Sequence, residues 1–150
     1  MKNSEWTLID IETSGLAAPI YALEIAGQRM RGLQPQGDPF QVFLNHEIDV
    51  PEEAEAVHGY SRRFLEEKGV SPLQAHLEFA EYVGDTPVCA YNLPFDYDLV
   101  LMPERRRLGL GAGITQWVAA RFLETVLSAI FRVKENRKWT TRTVRHWHLV

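Results

Sequence analysis

Cysteine is almost absent from this sequence, since Cys89 is the only one among 150 residues. A single cysteine excludes an internal disulfide and a thiolate cluster for zinc. No apolar run approaches the roughly 18 residues of a membrane-spanning helix, and no early segment has the composition of a cleaved signal peptide. We therefore expect a soluble, unsecreted protein in the cytoplasm, with no membrane partner.

Positive charge is scarce over most of the chain. Residues 1–120 carry 9 Lys and Arg against 18 Asp and Glu, whereas residues 121–150 carry 7 against 2, within a formal net charge of -4. The balance excludes a protein coated with positive charge. The basic tail suits nucleic-acid phosphates and equally suits an ordinary solvated surface, and both readings stay open.

The order of apolar segments predicts one α/β domain over residues 1–150, with an atypical basic segment from about residue 118. Strands are expected over residues 6–12, 21–30, 40–45 and 87–91, the first three forming a meander with a Gly- and Pro-containing connection at 34–38. Helices are expected over residues 61–68, 71–84, 92–102 and 114–131, and residues 140–150 form a strand or a frayed tail.

Within these elements, apolar spacing predicts which side chains are buried. Leu73, Leu77, Ala80 and either Tyr82 or Val83 are expected to form the apolar face of the 71–84 helix. The aromatic residues in periodic segments read as core residues rather than base-stacking platforms; they are Trp6, Trp117 and Phe122. His46 and His76 read as ordinary histidines rather than metal ligands.

Asp10 and Glu12 lie two residues apart in the first strand, so their side chains point to one face while Ile9 and Ile11 face the core. Two carboxylates held together at the end of an apolar strand repel each other and are poorly solvated. A divalent cation relieves that cost. Taken alone, the pair also fits an exposed acidic strand face.

A third carboxylate follows the strand expected over residues 87–91. Asn92 is expected to cap the next helix, with Pro94 in the first turn and Phe95 packed beneath. Asp96 then lies one helical turn from Asn92 and can coordinate a metal, whereas Asp98 is expected to face solvent.

Three segments together resemble the DnaQ-like DEDD 3'-5' exonuclease family, of the DNA polymerase III epsilon-subunit type. They are residues 10–16 (Asp-Ile-Glu-Thr-Ser-Gly-Leu), residues 57–60 (Val-His-Gly-Tyr) and residues 91–96 (Tyr-Asn-Leu-Pro-Phe-Asp). The likeness covers about residues 6–108, and the order and separation of the segments also fit. It implies a ribonuclease H-like fold, in which a mixed sheet is flanked by helices.

The resemblance also implies an activity and a site. Two divalent ions, Mg²⁺ or Mn²⁺, would be bound by Asp10, Glu12 and Asp96 for hydrolysis of phosphodiester bonds at the 3' end of DNA or RNA. Leu16 would pack against the terminal base and His58 would touch its sugar, although a lone histidine is more often an ordinary loop residue. The implied substrate-binding residues are Thr13, Ser14, Gly15, Leu16, His58, Asn92 and Phe95.

The family's third motif, a histidine about five residues before a metal-binding aspartate, is missing. No aspartate follows Asp98, and His146 and His148 have no carboxylate after them. Because a general base commonly contributes about 10²–10⁴-fold, impaired activity is expected. Either other residues serve instead or the reading frame or gene end is altered. The alternative function is a weakened module that binds 3' ends or a polymerase without turnover, and homodimerisation stays open.

Overall fold

The computed structural model of the chain describes residues 4–111. The predicted helix over 114–131, the tail over 140–150, Trp117 and Phe122 therefore lie outside the described residues. The strands are β1 (Glu5–Thr13), β2 (Ala22–Arg31), β3 (Gln34–Pro35), β4 (Phe40–Phe43) and β5 (Val88–Ala90). The helices are α1 (Glu52–His58), α2 (Arg62–Lys68), α3 (Pro72–Val83), a π-helix (Pro94–Leu101) and α4 (Met102–Arg107).

One mixed sheet organises these elements, which confirms the α/β expectation. Its strand order is β3-β2-β1-β5, and β4 also pairs with β2. β1 runs antiparallel to β2 along its whole length and parallel to β5, where Thr7 pairs with Val88. The predicted meander followed by a parallel strand is therefore correct, although the connection expected at 34–38 includes the short strand β3.

The core lies where β1 and β2 meet the helices that follow them. Ile9 and Ile11 are buried as predicted, and they belong to one apolar cluster with Phe79 of α3 and Leu101 of the π-helix. β1 therefore contributes one row of side chains to the core and alternates it with Asp10 and Glu12.

Helix α3 buries a different face from the one predicted. Its buried residues are Ala75, His76, Phe79 and Val83, whereas Leu73 and Leu77 are 44% and 53% exposed. The predicted face was therefore wrong for both leucines. The buried positions still repeat at the three- to four-residue spacing of one helix face, but a histidine stands where the sequence led us to expect an apolar residue.

The serine caps are correct. The backbone N–H of Phe64 donates to Ser61 Oγ (3.1 Å), and that of Gln74 donates to Ser71 Oγ (3.3 Å), so each serine satisfies a first-turn donor of its helix. Helix α1 was not predicted, because Pro51 precedes it without any side-chain cap. In the described part of the chain, no helix is long and apolar enough to cross a membrane.

Three buried polar side chains connect distant elements behind the sheet. Glu104 of α4 accepts a hydrogen bond from Ala22 N (2.9 Å), and its other oxygen lies 3.0 Å from His46 Nε2 and 3.5 Å from His76 Nε2. His46 Nε2 also lies 2.8 Å from the carbonyl oxygen of Ala22. The two histidines are thus buried partners of a carboxylate, a role that sequence reasoning missed.

Candidate active site

An open cleft of about 710 Å³ lies at the end of β1, between helix α1 and the start of the π-helix. Its walls are formed by residues 10–17, Pro51, Glu53, Ala54, Val57, His58, Tyr91, Asn92, Phe95 and Asp96. All ten residues that the sequence put forward for metal or substrate binding line this cleft. Sequence positions almost 90 residues apart therefore meet in one place.

Two of the three candidate metal ligands are buried residues, and the third has one buried carboxylate oxygen. Glu12 and Asp96 are 7% and 6% exposed. Asp10 Oδ2 is buried and has no hydrogen-bond partner within residues 4–111. Buried carboxylate oxygens normally have a donor, so the bare oxygen of Asp10 is suited to a cation.

Electrostatics at the site disfavour three negative charges. Burial raises the pKa of Glu12 to about 7, with further contributions from Glu24 and Asp96. Burial also raises the pKa of Asp96 to about 7 against a hydrogen bond from the backbone of Asn92, and raises the pKa of Asp10 well above its usual range, helped by the nearby carboxylates. A bound proton or a bound cation must therefore compensate the negative charge of these carboxylates.

The donor chemistry fits a hard divalent ion such as Mg²⁺ or Mn²⁺, because every candidate ligand is a carboxylate oxygen. The geometry is less complete. Within residues 4–111, no group of three or more His, Cys, Asp or Glu side chains is arranged to hold a metal ion. Asp10, Glu12 and Asp96 would therefore need side-chain adjustment, with water or phosphate oxygens completing the coordination.

The winding of the chain around Asp96 differs from the prediction. Asn92 does not cap a helix; the π-helix begins at Pro94, and Leu93 before it has no side-chain cap bond. Helical hydrogen bonding nevertheless starts from Asn92, whose carbonyl oxygen accepts from Asp96 N (2.9 Å). The Asn92 side chain is left exposed in the cleft, and the winding buries Asp96 while Asp98 faces solvent as predicted.

The loop after β1 supplies an apolar edge to the cleft. Gly15 has φ +121°, a conformation that disfavours any side chain. The Thr13 and Ser14 hydroxyls are used within the loop: Gly15 N donates to Thr13 Oγ1 (3.3 Å) and Tyr21 N donates to Ser14 Oγ (3.0 Å). Leu16 projects at 82% exposure, a position from which it can cover an apolar ligand surface.

His58 is the last residue of helix α1 and is 3% exposed. It is therefore a buried helix residue and not an exposed loop histidine. Gly59 follows it with φ +79° and closes the helix. Tyr60 N donates to His58 Nδ1 (3.0 Å), and His58 Nε2 lies 3.2 Å from Thr13 O. His58 therefore forms part of the cleft wall with both ring nitrogens directed at backbone groups.

Part of this chain is similar in sequence to bacterial DNA polymerase III epsilon subunits. It is 32% identical over 91 residues to DNA polymerase III subunit epsilon of Rickettsia typhi, and 31% identical over 96 residues to that of Rickettsia conorii. Each match covers 59% of this chain and 39% of the relative, so the chain spans about two fifths of the length of these proteins. No protein-family model matches the chain.

Solved structures share its fold. Escherichia coli exonuclease I in complex with a dT13 oligonucleotide superposes over 78% of this chain and 28% of its own, with a TM-score of 0.69 and 16% identity. Exonuclease I from Methylocaldum szegediense superposes over 60% and 21%, with a TM-score of 0.56 and 24% identity. The chain is therefore similar in sequence to DNA polymerase III epsilon subunits and in fold to exonuclease I. The resemblance to DnaQ-like exonucleases and the expected α/β fold are thereby confirmed.

One buried carboxylate near the cleft was missed by the sequence analysis. Glu24 is completely buried on β2 and pairs in register with Glu12 on β1. Its signal was available in the sequence, because a glutamate stands inside the otherwise apolar run of residues 22–26. Such a residue requires a specific set of partners, which Glu24 has in Gln41 and Tyr60.

Proposed function

We propose that this chain is a metal-dependent 3'-5' exonuclease domain that hydrolyses phosphodiester bonds at nucleic-acid 3' ends. The observation that carries the proposal is that the carboxylates of Asp10, Glu12 and Asp96 meet at an open cleft, where burial raises the pKa of each. Kinship with the DnaQ-like exonucleases supports the same reaction.

In this proposal Asp10, Glu12 and Asp96 hold two divalent ions, Mg²⁺ or Mn²⁺. When bound, such ions lower the pKa of a water and offset the charge of a reacting phosphate. The chain's own residues receive the terminal nucleotide: exposed Leu16 and Val57 form an apolar edge for the base. Gly15 has no side chain to obstruct the approach of the nucleotide backbone.

The proposed nucleic-acid substrate is a single-stranded DNA or RNA 3' end. His58 is assigned to the wall of the cleft rather than to proton transfer, because Tyr60 N and Thr13 O occupy its two ring nitrogens. The basic segment 121–150 offers further charge for the phosphate backbone.

A second candidate function is a module that binds 3' ends, or a polymerase partner, without turnover. The absence of an aspartate after Asp98 favours it, since the family pattern requires a late histidine and aspartate pair. The two candidates share the cleft and the carboxylates. They differ in whether the bound phosphodiester is cut.

The activity is tested with 5'-labelled DNA and RNA oligonucleotides of one sequence. We expect stepwise shortening from the 3' end with Mn²⁺, and intact substrate with EDTA or with a 3'-terminal phosphorothioate linkage. The measurement is the product ladder over time on a denaturing gel. Retention of the oligonucleotide without shortening would support the binding module, whereas neither binding nor shortening would reject both functions.

The raised pKa values predict how the metal's effect on stability depends on pH. In the metal-free fold Glu12 and Asp96 hold protons up to about pH 7, whereas unfolded carboxyls release them near pH 4. The free energy of unfolding therefore falls as pH rises from about 4 to 7. Cation binding requires the charged forms, so Mn²⁺ should raise Tm strongly at pH 8 and little at pH 5. At Mn²⁺ about 100-fold above Kd, the gain is about 2.7 kcal/mol.

Differential scanning calorimetry with and without Mn²⁺ across this pH range measures the effect. Ca²⁺ serves as a comparison, because it also prefers oxygen ligands but takes more of them at longer distances. A shift in Tm that is equal at pH 5 and pH 8 would contradict assignment of the metal to these carboxyls.

A further inference from the structure

A buried hydrogen-bonded path connects the second strand of the sheet to the wall of the cleft. It begins at Glu24, whose two carboxylate oxygens both accept: Oε1 from Gln41 Nε2 and Oε2 from the Tyr60 hydroxyl, each at 2.5 Å. Glu24 has no exposed surface and Tyr60 is 5% exposed. This pair joins β2 to the segment between α1 and α2.

Tyr60 contacts His58 in two ways. Its backbone N–H donates to His58 Nδ1 (3.0 Å), and its ring stacks on the imidazole with a centroid distance of 4.9 Å and an interplanar angle of 24°. On its other side the Tyr60 ring stacks on Phe64, at 5.2 Å and 14°. The tyrosine is therefore clamped between a helix residue and the cleft histidine.

The hydrogen bonds also select one tautomer of His58. Because Nδ1 accepts from Tyr60 N, the proton of the neutral ring is on Nε2, which then donates to Thr13 O (3.2 Å). The β1–β2 register shifts between Glu12 and Thr13, so the strand pairing is interrupted where this carbonyl is used. The path thus ends at the cleft, one residue from Glu12.

We propose that Glu24 and Tyr60 are positioning residues of the cleft, which hold the His58 ring and the end of β1 in the arrangement that receives the terminal nucleotide. The inference rests on the proposed function, since it assumes that the cleft binds a nucleotide. Neither residue needs to touch the substrate. Their effect passes through His58 and Thr13, both of which line the cleft.

The test uses two substitutions. Tyr60→Phe removes only the hydroxyl that donates a hydrogen bond to Glu24, and Glu24→Gln keeps the shape of the side chain and removes its charge. We expect each to raise KM about tenfold, the loss associated with a hydrogen bond to a charged group. In Tyr60→Phe, which leaves the carboxylate charges around Glu12 in place, kcat should change less than about threefold. Tyr82→Phe is the matched control, because Tyr82 also has a hydrogen-bonded hydroxyl, with Arg29 N at 3.0 Å, but lies outside the cleft lining.

Two readouts do not depend on turnover. Binding of dTMP with Mn²⁺, measured by calorimetry, should weaken about tenfold in both variants and stay unchanged in Tyr82→Phe. Nitrogen-15 NMR of the His58 ring should report the Nε2–H tautomer in the parent protein and a mixture of tautomers in the variants. A merely structural hydroxyl would lower Tm without changing either readout.

The outcomes separate this inference from the proposed function. Parent protein that cleaves DNA, with Tyr60→Phe and Glu24→Gln variants unchanged in KM, dTMP binding and His58 tautomer, overturns the positioning role and leaves the exonuclease proposal standing. Parent protein that binds dTMP without cleaving, with both variants weakened, supports the positioning role and rejects turnover. Parent protein that neither cleaves DNA nor binds dTMP overturns both.

Discussion

Replacing Asp96 with asparagine is expected to lower exonuclease activity about 10³-fold or more, while making the metal-free protein more stable. The activity falls because a neutral amide is a poor ligand for a divalent ion, and metal charge stabilisation contributes several kcal/mol to the reaction. The stability rises because Asp96 is 6% exposed and its pKa is raised by burial to about 7, so its charge opposes folding.

The sign of the stability change follows from the two protonation states. At neutral pH the unfolded chain has an ionised Asp96, whereas the fold favours the protonated form, so folding costs free energy that asparagine does not incur. A pKa that moves from 3.8 to about 7 corresponds to a gain on the order of 2–4 kcal/mol in the variant. The gain should be present above about pH 7 and vanish near pH 4.

Asp98→Asn is the matched control, since Asp98 lies in the same π-helix but is exposed. It should leave both activity and stability within about 0.5 kcal/mol of the parent. Urea unfolding in EDTA at pH 8 and pH 4.5 measures the stability of both variants. An Asp96→Asn protein that cleaves as well as the parent would remove Asp96 from the metal site, and a variant that is less stable at pH 8 would contradict the cost of its burial.

The features that sequence reasoning predicted are those encoded by short-range geometry. The two-residue spacing of Asp10 and Glu12 in a strand, and the serine caps at Ser61 and Ser71, depend on a few neighbouring positions. The convergence of residues 10–16, 57–60 and 91–96 was available only through their resemblance to a family. Spacing alone does not bring three segments of a chain together.

The features that were missed depend on partners far away in the sequence. The role of Glu24 requires Gln41 and Tyr60, 17 and 36 residues later. The burial of His76 requires Glu104, which approaches it from α4. An isolated sequence pattern assigns such polar residues to the surface, because it contains no information about the group that compensates their burial.

Glu104→Gln is expected to reduce the free energy of unfolding by about 3 kcal/mol at neutral pH, because it removes the charge from a buried cluster. Glu104 is 1% exposed, and although burial opposes its charge, the close approach of the His46 and His76 rings and a hydrogen bond from Ala22 N lower its pKa to about 2. A carboxyl with a lowered pKa contributes stability above its unfolded value of 4.5, and that contribution is lost as pH falls towards 2. The free energies of unfolding of parent and variant, measured with urea, should therefore converge between pH 4.5 and 2. Comparing the two proteins at each pH cancels the effect of the carboxyls that both share.

Glu81→Gln, an exposed substitution on α3, is the control and should stay within about 0.5 kcal/mol of the parent at every pH. A difference between parent and Glu104→Gln that persists at pH 2 would show that the shape of Glu104, rather than its charge, is important.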